Sequence, residues 1–136
     1  MKQFRLLLFV LLAGSLALGQ SKQEQAATTA ATQWLQLTDA GDYAASWQEA
    51  APLFKNSITR ERWTQALGAA RTPLGKVISR KLISARYATS LPGVPDGEYV
   101  VIQFETVFAN KASAVETVTP TLTKDGAWRV CGYYIR

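Results

Sequence analysis

The spacing of apolar residues along this chain changes once, near residue 76, and that change of period restricts the folds open to it. Before it, apolar side chains recur at helical spacing. Ala27, Ala30, Ala31, Trp34 and Leu35 mark a first helix that Gly41 ends. Asp42 is the expected cap of a second, along Tyr43, Ser46, Trp47, Ala50 and Ala51, and Pro52 interrupts it. Residues 53–56 are then expected as a turn or a kinked last piece. Thr59 caps a third helix with Glu61 in its first turn and Trp63, Ala66, Leu67 and Ala70 as its stripe. After Thr72-Pro73-Leu74-Gly75 the chain turns rich in β-branched residues.

Residues 76–91 alternate in part, and residues 98–110 alternate cleanly. Val100, Ile102, Phe104, Thr106 and Phe108 share one face, with Tyr99, Val101, Gln103, Glu105 and Val107 on the other. A third strand is expected over residues 112–123, with Pro120 marking an edge or a bulge. Asp125-Gly126 signals a tight hairpin into a last strand, residues 128–135, with Trp128, Val130, Gly132 and Tyr134 expected on one face. Helices followed by a meander of antiparallel strands make an α+β domain of three N-terminal helices on a four-stranded sheet.

The first residues have the form of a secretory signal peptide. Lys2 and Arg5 give a basic start, residues 6–18 carry no charge, and Ala17 and Gly19 are small residues at the exit. A spanning helix needs about 20 apolar residues. This run is shorter, contains Gly14 and Ser15, and has no cysteine after it to take a lipid. The expectation is a signal over 1–19, a flexible mature N-terminus over 20–25 and one α+β domain over 26–136, periplasmic or secreted, with no stable membrane anchor once the signal is cleaved.

Composition narrows the chemistry. The chain has 15 basic and 10 acidic residues and no histidine. Loss of Lys2 and Arg5 would leave a net charge of +3. Arg60, Arg62 and Arg71, then Arg80, Lys81 and Arg86, are scattered rather than gathered into a stripe, so nucleic acid is not expected as a partner. A single cysteine without histidine offers no ligand set for zinc, and the carboxylates lack the spacing of a calcium loop, so neither metal nor cofactor is expected. Cys131 lies in an apolar strand and reads first as a small buried thiol, with an intermolecular disulfide or a nucleophile as the other readings.

Four stretches carry a family resemblance: WLQLTDAGDYAASWQEAAPLFK (Trp34 to Lys55), WTQALGAARTPLG (Trp63 to Gly75), YATSLPGVPDGEYVVIQFETVFANK (Tyr87 to Lys111) and DGAWRVCGYYIR (Asp125 to Arg136). In this order they resemble the exported bacterial family called domain of unknown function 4019. The resemblance implies membership and brings no activity or catalytic residue with it. The order of elements is also similar, at fold level, to the nuclear-transport-factor-2-like cone, in which helices pack into a curved sheet.

Such a cone offers a pocket where helices meet sheet. Trp34, Tyr43, Trp47, Trp63, Tyr87, Phe104, Phe108, Trp128 and Tyr134 are the candidate lining, unless the same rings fill the core. The segment from Ser90 to Gly97 holds two prolines and two glycines. Leu91, Pro92, Gly93, Pro95 and Asp96 are its candidate contact residues, as a lip over the pocket or a partner-binding loop. For acid–base chemistry the candidate bases are Asp39, Asp42, Glu49, Glu105 and Glu116, with Tyr43, Tyr87 or Tyr134 as donors to an oxyanion. These features lead to a non-catalytic domain that binds a small apolar or amphipathic ligand or an envelope protein, as a monomer or homodimer. The alternatives are an isomerase- or dehydratase-type enzyme and a structural domain that self-assembles through its outer sheet face.

Overall fold

The computed structural model describes residues 20–136. The expected signal peptide over 1–19 lies outside the described residues. Helix α1 runs over Lys22–Asp39, α2 over Tyr43–Gln48, α3 over Pro52–Lys55 and α4 over Arg60–Arg71, and a 3₁₀ turn follows at Thr72–Leu74. Strands β1 (Val77–Ala88), β2 (Tyr99–Phe108), β3 (Lys111–Leu122) and β4 (Trp128–Ile135) form one antiparallel sheet in the order β1-β2-β3-β4. The fold is α+β.

Four α-helices stand where three were expected. Pro52 does not kink the second helix. It opens a helical turn of its own, because its fixed φ suits the first helical position and its missing N–H is not needed there. Helix α1 also starts at Lys22, earlier than its apolar spacing. Ser21 and Glu24 form a reciprocal capping box, each side chain accepting from the other's backbone N–H.

Helix α1 touches all four strands. Ala27 and Ala31 are fully buried on it, and their small size lets the helix backbone approach the sheet closely. Opposite stand Val100, Ile102 and Phe104 of β2, Val118 of β3 and Val130 of β4, joined with Trp34, Leu35, Phe54, Trp63 and Leu67 in one core. The aromatic rings meet edge to face or tilted: Phe54 and Trp63 at 4.7 Å, Trp34 and Tyr133 at 5.4 Å, Trp34 and Trp63 at 6.3 Å between centroids.

Pro120 and Cys131 decide which way the last strand faces. The ladder pairs Thr119 with Gly132 and Pro120 with Val130, which leaves Cys131 as an extra residue in β4. One added residue inverts the alternation beyond it. Tyr133 therefore shares the inner face with Val130, and Tyr134 turns outward and is exposed. The expected face of Trp128, Val130, Gly132 and Tyr134 is corrected on this ground. On the free edge of β4, the Val130 carbonyl accepts from Ala51 N–H at 2.8 Å. On the opposite edge, the register of β1 shifts at Ile78 and at Ile83, and bulges of this kind discourage pairing with another chain.

Candidate functional site

The aromatic residues singled out by sequence separate into three groups. Trp34, Trp63 and Phe104 are buried in the core, and Tyr43, Trp47 and Trp128 are packed partly against it. Phe108 is buried under the Arg71 guanidinium, 5.1 Å from its ring centroid. Tyr87 and Tyr134 are exposed. The Tyr87 hydroxyl donates to Glu98, and Tyr134 lies beneath the Arg136 guanidinium. Trp34 and Trp128 do meet at a small depression of about 240 Å³, with Glu49 and Arg129 at its margin. Of the other rings, Tyr43, Trp47, Trp63, Phe104 and Phe108 fill space between helices and sheet, and Tyr87 and Tyr134 do not.

The sheet end near α1's C-terminus carries a polar cluster instead. Arg80 of β1, Thr106 of β2, Glu116 of β3 and Tyr133 of β4 lie side by side across the inner face. Arg71, Thr38 and Asp39 close it from the helices. Arg80 donates Nε to Glu116 Oε1 at 2.7 Å and Nη1 to Asp39 Oδ2 at 2.7 Å. Arg71 donates to Asp39 Oδ1 at 2.8 Å and to Thr38 Oγ1 at 2.9 Å. Thr106 and Tyr133 donate their hydroxyls to Glu116. Two guanidinium groups thus face two carboxylates.

Burial opposes the charges of Asp39, Arg71 and Arg80, and their partners outweigh it. It acts to raise the pKa of Asp39, but the hydrogen bonds from Arg80 and Arg71 hold the carboxyl below its usual range. For Arg80 burial acts to lower the pKa, and the bonds to Asp39 and Glu116 carry it above the ordinary value. The Tyr133 phenol is pushed far up, first by burial and then by the Glu116 charge. It stays protonated, which its donation to Glu116 requires.

The five candidate bases are not brought together. Asp39 and Glu116 are linked through Arg80. Asp42 caps α2, accepting from Ala45 N–H at 3.3 Å. Glu49 and Glu105 are exposed on separate elements. Glu116 is completely enclosed, and each of its oxygens accepts two hydrogen bonds. A general base must reach a substrate proton with a free lone pair, and Glu116 has neither the exposure nor the spare acceptor. Among the described residues no group of three or more Cys, Asp or Glu side chains is placed to hold a metal ion. Burial pushes the Cys131 thiol up to about 11, which removes it from nucleophilic chemistry near neutral pH.

A larger concavity lies elsewhere. The start of α3, the proline loop and the β3–β4 hairpin enclose a groove of about 650 Å³, within the range of small-molecule sites. Pro52 and Leu53 form one wall, Pro95 and Tyr99 a second, and Leu122 a third. Asp96 and Lys124 stand among its lining. Of the loop contacts named from sequence, Pro95 and Asp96 line this groove, and Leu91, Pro92 and Gly93 are not among its walls. Sequence reading missed Leu53, Tyr99 and Leu122, which come from three segments with no shared motif. It also missed Arg71, Arg80, Thr106 and Tyr133 as one cluster. The signal available for that cluster was a charged residue at an inward position of an apolar strand, as at Glu116.

No described helix is long and apolar enough to cross a membrane. A family model described as "Protein of unknown function (DUF4019)" matches residues 30–133. No curated protein and no solved structure matches the chain.

Proposed function

The chain belongs to that family of unknown function, and from this premise we propose a non-catalytic binding role, exercised through the groove between α3, the proline loop and the β3–β4 hairpin. The carrying observation is the groove itself: a mostly apolar concavity of about 650 Å³ assembled from three separate elements. Apolar concavities with a few polar groups are the usual ligand sites of small domains. The central aromatics favour the same reading, since Trp34, Trp63 and Phe54 pack against one another, tilted or edge to face, and leave the binding surface to the rim. The occupant is a small apolar or amphipathic molecule, or an apolar segment of an envelope protein. The role requires no cofactor.

Two further parts of the proposal rest on pattern. The nuclear-transport-factor-2-like cone is the finer fold, supported by an antiparallel meander with α1 laid across all four strands. Export to the periplasm or medium is supported by the basic start and uncharged run of residues 1–19. The acid–base alternative has less support, because Glu116 is enclosed and fully hydrogen-bonded.

Native mass spectrometry of protein purified gently from its own cell envelope tests the reading. We expect a retained molecule that is lost in a Leu53→Asp variant. A protein that carries nothing, with no difference between the variant and the parent, would refute a binding role for the groove.

A further inference from the structure

The walls of the groove discriminate between a hydrocarbon chain and a peptide. Three lining residues carry hydroxyls, and all three are already engaged within the protein. Tyr99 donates to the Pro95 carbonyl at 2.6 Å, Thr121 to the Glu98 carbonyl at 2.8 Å and Thr123 to the Ala127 carbonyl at 2.9 Å. The backbone N–H groups of Leu122, Thr123 and Ala51 are engaged as well, with Glu98, Ala127 and Val130. A bound peptide brings one N–H and one C=O per residue, and leaving them unpaired on an apolar wall is costly. Nor is the neighbouring edge of β4 free at Val130, whose carbonyl is held by Ala51. A hydrocarbon chain asks for no hydrogen bonds.

The charges in the lining describe what is attached to that chain. Arg129 and Asp125 pair with each other at 3.0 Å. Asp96 and Lys124 form no ion pair among the described residues, so one carboxylate and one ammonium remain available at the groove. Resting on the reading that the groove is a binding site, we propose that it holds the chain of a monomeric, single-chain zwitterionic amphiphile. The cationic part of the head meets Asp96 and the anionic part meets Lys124.

Titration of the protein recovered from its own cells with octyl-, decyl- and dodecylphosphocholine, each below its critical micelle concentration, tests this. Amide NMR shifts are expected at Ala51, Leu53, Arg129 and residues 96–99 and 121–125, the non-proline positions in and around the lining. Affinity is expected to rise about fourfold per added methylene until the groove is full. Asp96→Asn and Lys124→Gln alter exposed side chains, and each is expected to weaken dodecylphosphocholine several-fold while leaving dodecylmaltoside unchanged. Equal binding of the two detergents, indifferent to both substitutions, would overturn the assignment of the head group and leave the groove reading standing. Shifts outside these segments, or binding only to phosphatidylcholine vesicles, would overturn the monomeric amphiphile. A retained protein segment in native mass spectrometry, with no response to any alkyl chain, would overturn this inference and support the broader one.

Discussion

Arg80 Nε lies 2.7 Å from Glu116 Oε1, and this contact joins the edge strand β1 to β3 across the whole width of β2. The same guanidinium reaches Asp39 at the end of α1, so one side chain fastens sheet to helix. Breaking a buried pair from one side leaves an uncompensated charge, at a cost of about 3–5 kcal/mol. Arg80→Met and Glu116→Leu are each expected to destabilise the fold by about that amount in urea denaturation. The double variant removes both charges and is expected to lose clearly less than the sum of the two. Simple additivity would show that the pair is not what organises this end of the sheet.

Asp39 contributes to the pH dependence, together with the lowered carboxyls of Glu24 and Asp125. The folded pKa of Asp39 lies below the ordinary aspartate value, so on acidification the unfolded chain takes up the proton first. Stability from this group is therefore complete above the unfolded value of about 4 and is lost as pH falls through the lower folded value. Thermal unfolding followed from pH 6 to pH 2 should show that decline. In Arg80→Met, which removes the stronger of Asp39's two partners, the decline should be shallower. An unchanged slope would place the acid sensitivity elsewhere.

Cys131 offers a separate check on the interior. Burial raises its thiol to about 11, and the thiolate is the form that reacts. Alkylation by iodoacetamide at pH 8 should be on the order of a hundredfold slower than for an unperturbed thiol, and should accelerate on denaturation. Rapid labelling of the folded protein would contradict the burial of this bulge.

The strand β2 was legible because Val100, Ile102, Phe104, Thr106 and Phe108 keep a strict period of two between a packed face and a wetter one. In β4 the same reasoning failed after Val130. Pro120 on the partner strand marked an irregularity, but nothing in β4 itself showed that Cys131 was the extra residue, and the bulge exchanged Tyr134 for Tyr133 on the inner face. Pro52 was legible as an interruption and not as a helix start, since the same fixed φ serves both. The early start of α1 was written in Ser21 and Glu24, a capping pair that periodicity alone ignores. The polar cluster and the groove stayed hidden for a common reason. Arg71, Arg80, Glu116 and Tyr133 come from four elements, and Leu53, Tyr99 and Leu122 from three, so only the tertiary fold makes them neighbours.

Ser46 holds the helical layer together through two tryptophans, and that arrangement can be separated experimentally. Trp34 donates its indole N–H to the Ser46 carbonyl at 2.8 Å, and Trp63 donates to the Ser46 hydroxyl at 2.9 Å. Ser46→Ala keeps the first bond and removes the second, leaving the Trp63 N–H buried without an acceptor. The expected loss is about 1–3 kcal/mol. Trp63→Phe removes the donor and some packing. Because its bond is already absent in Ser46→Ala, the same change should cost less in that background, with a coupling on the order of 1 kcal/mol. Urea denaturation of the four proteins gives the cycle. A Ser46→Ala loss under about 0.5 kcal/mol, with no coupling, would mean that the Trp63 N–H finds water or another acceptor, and that packing alone holds α2 against α4.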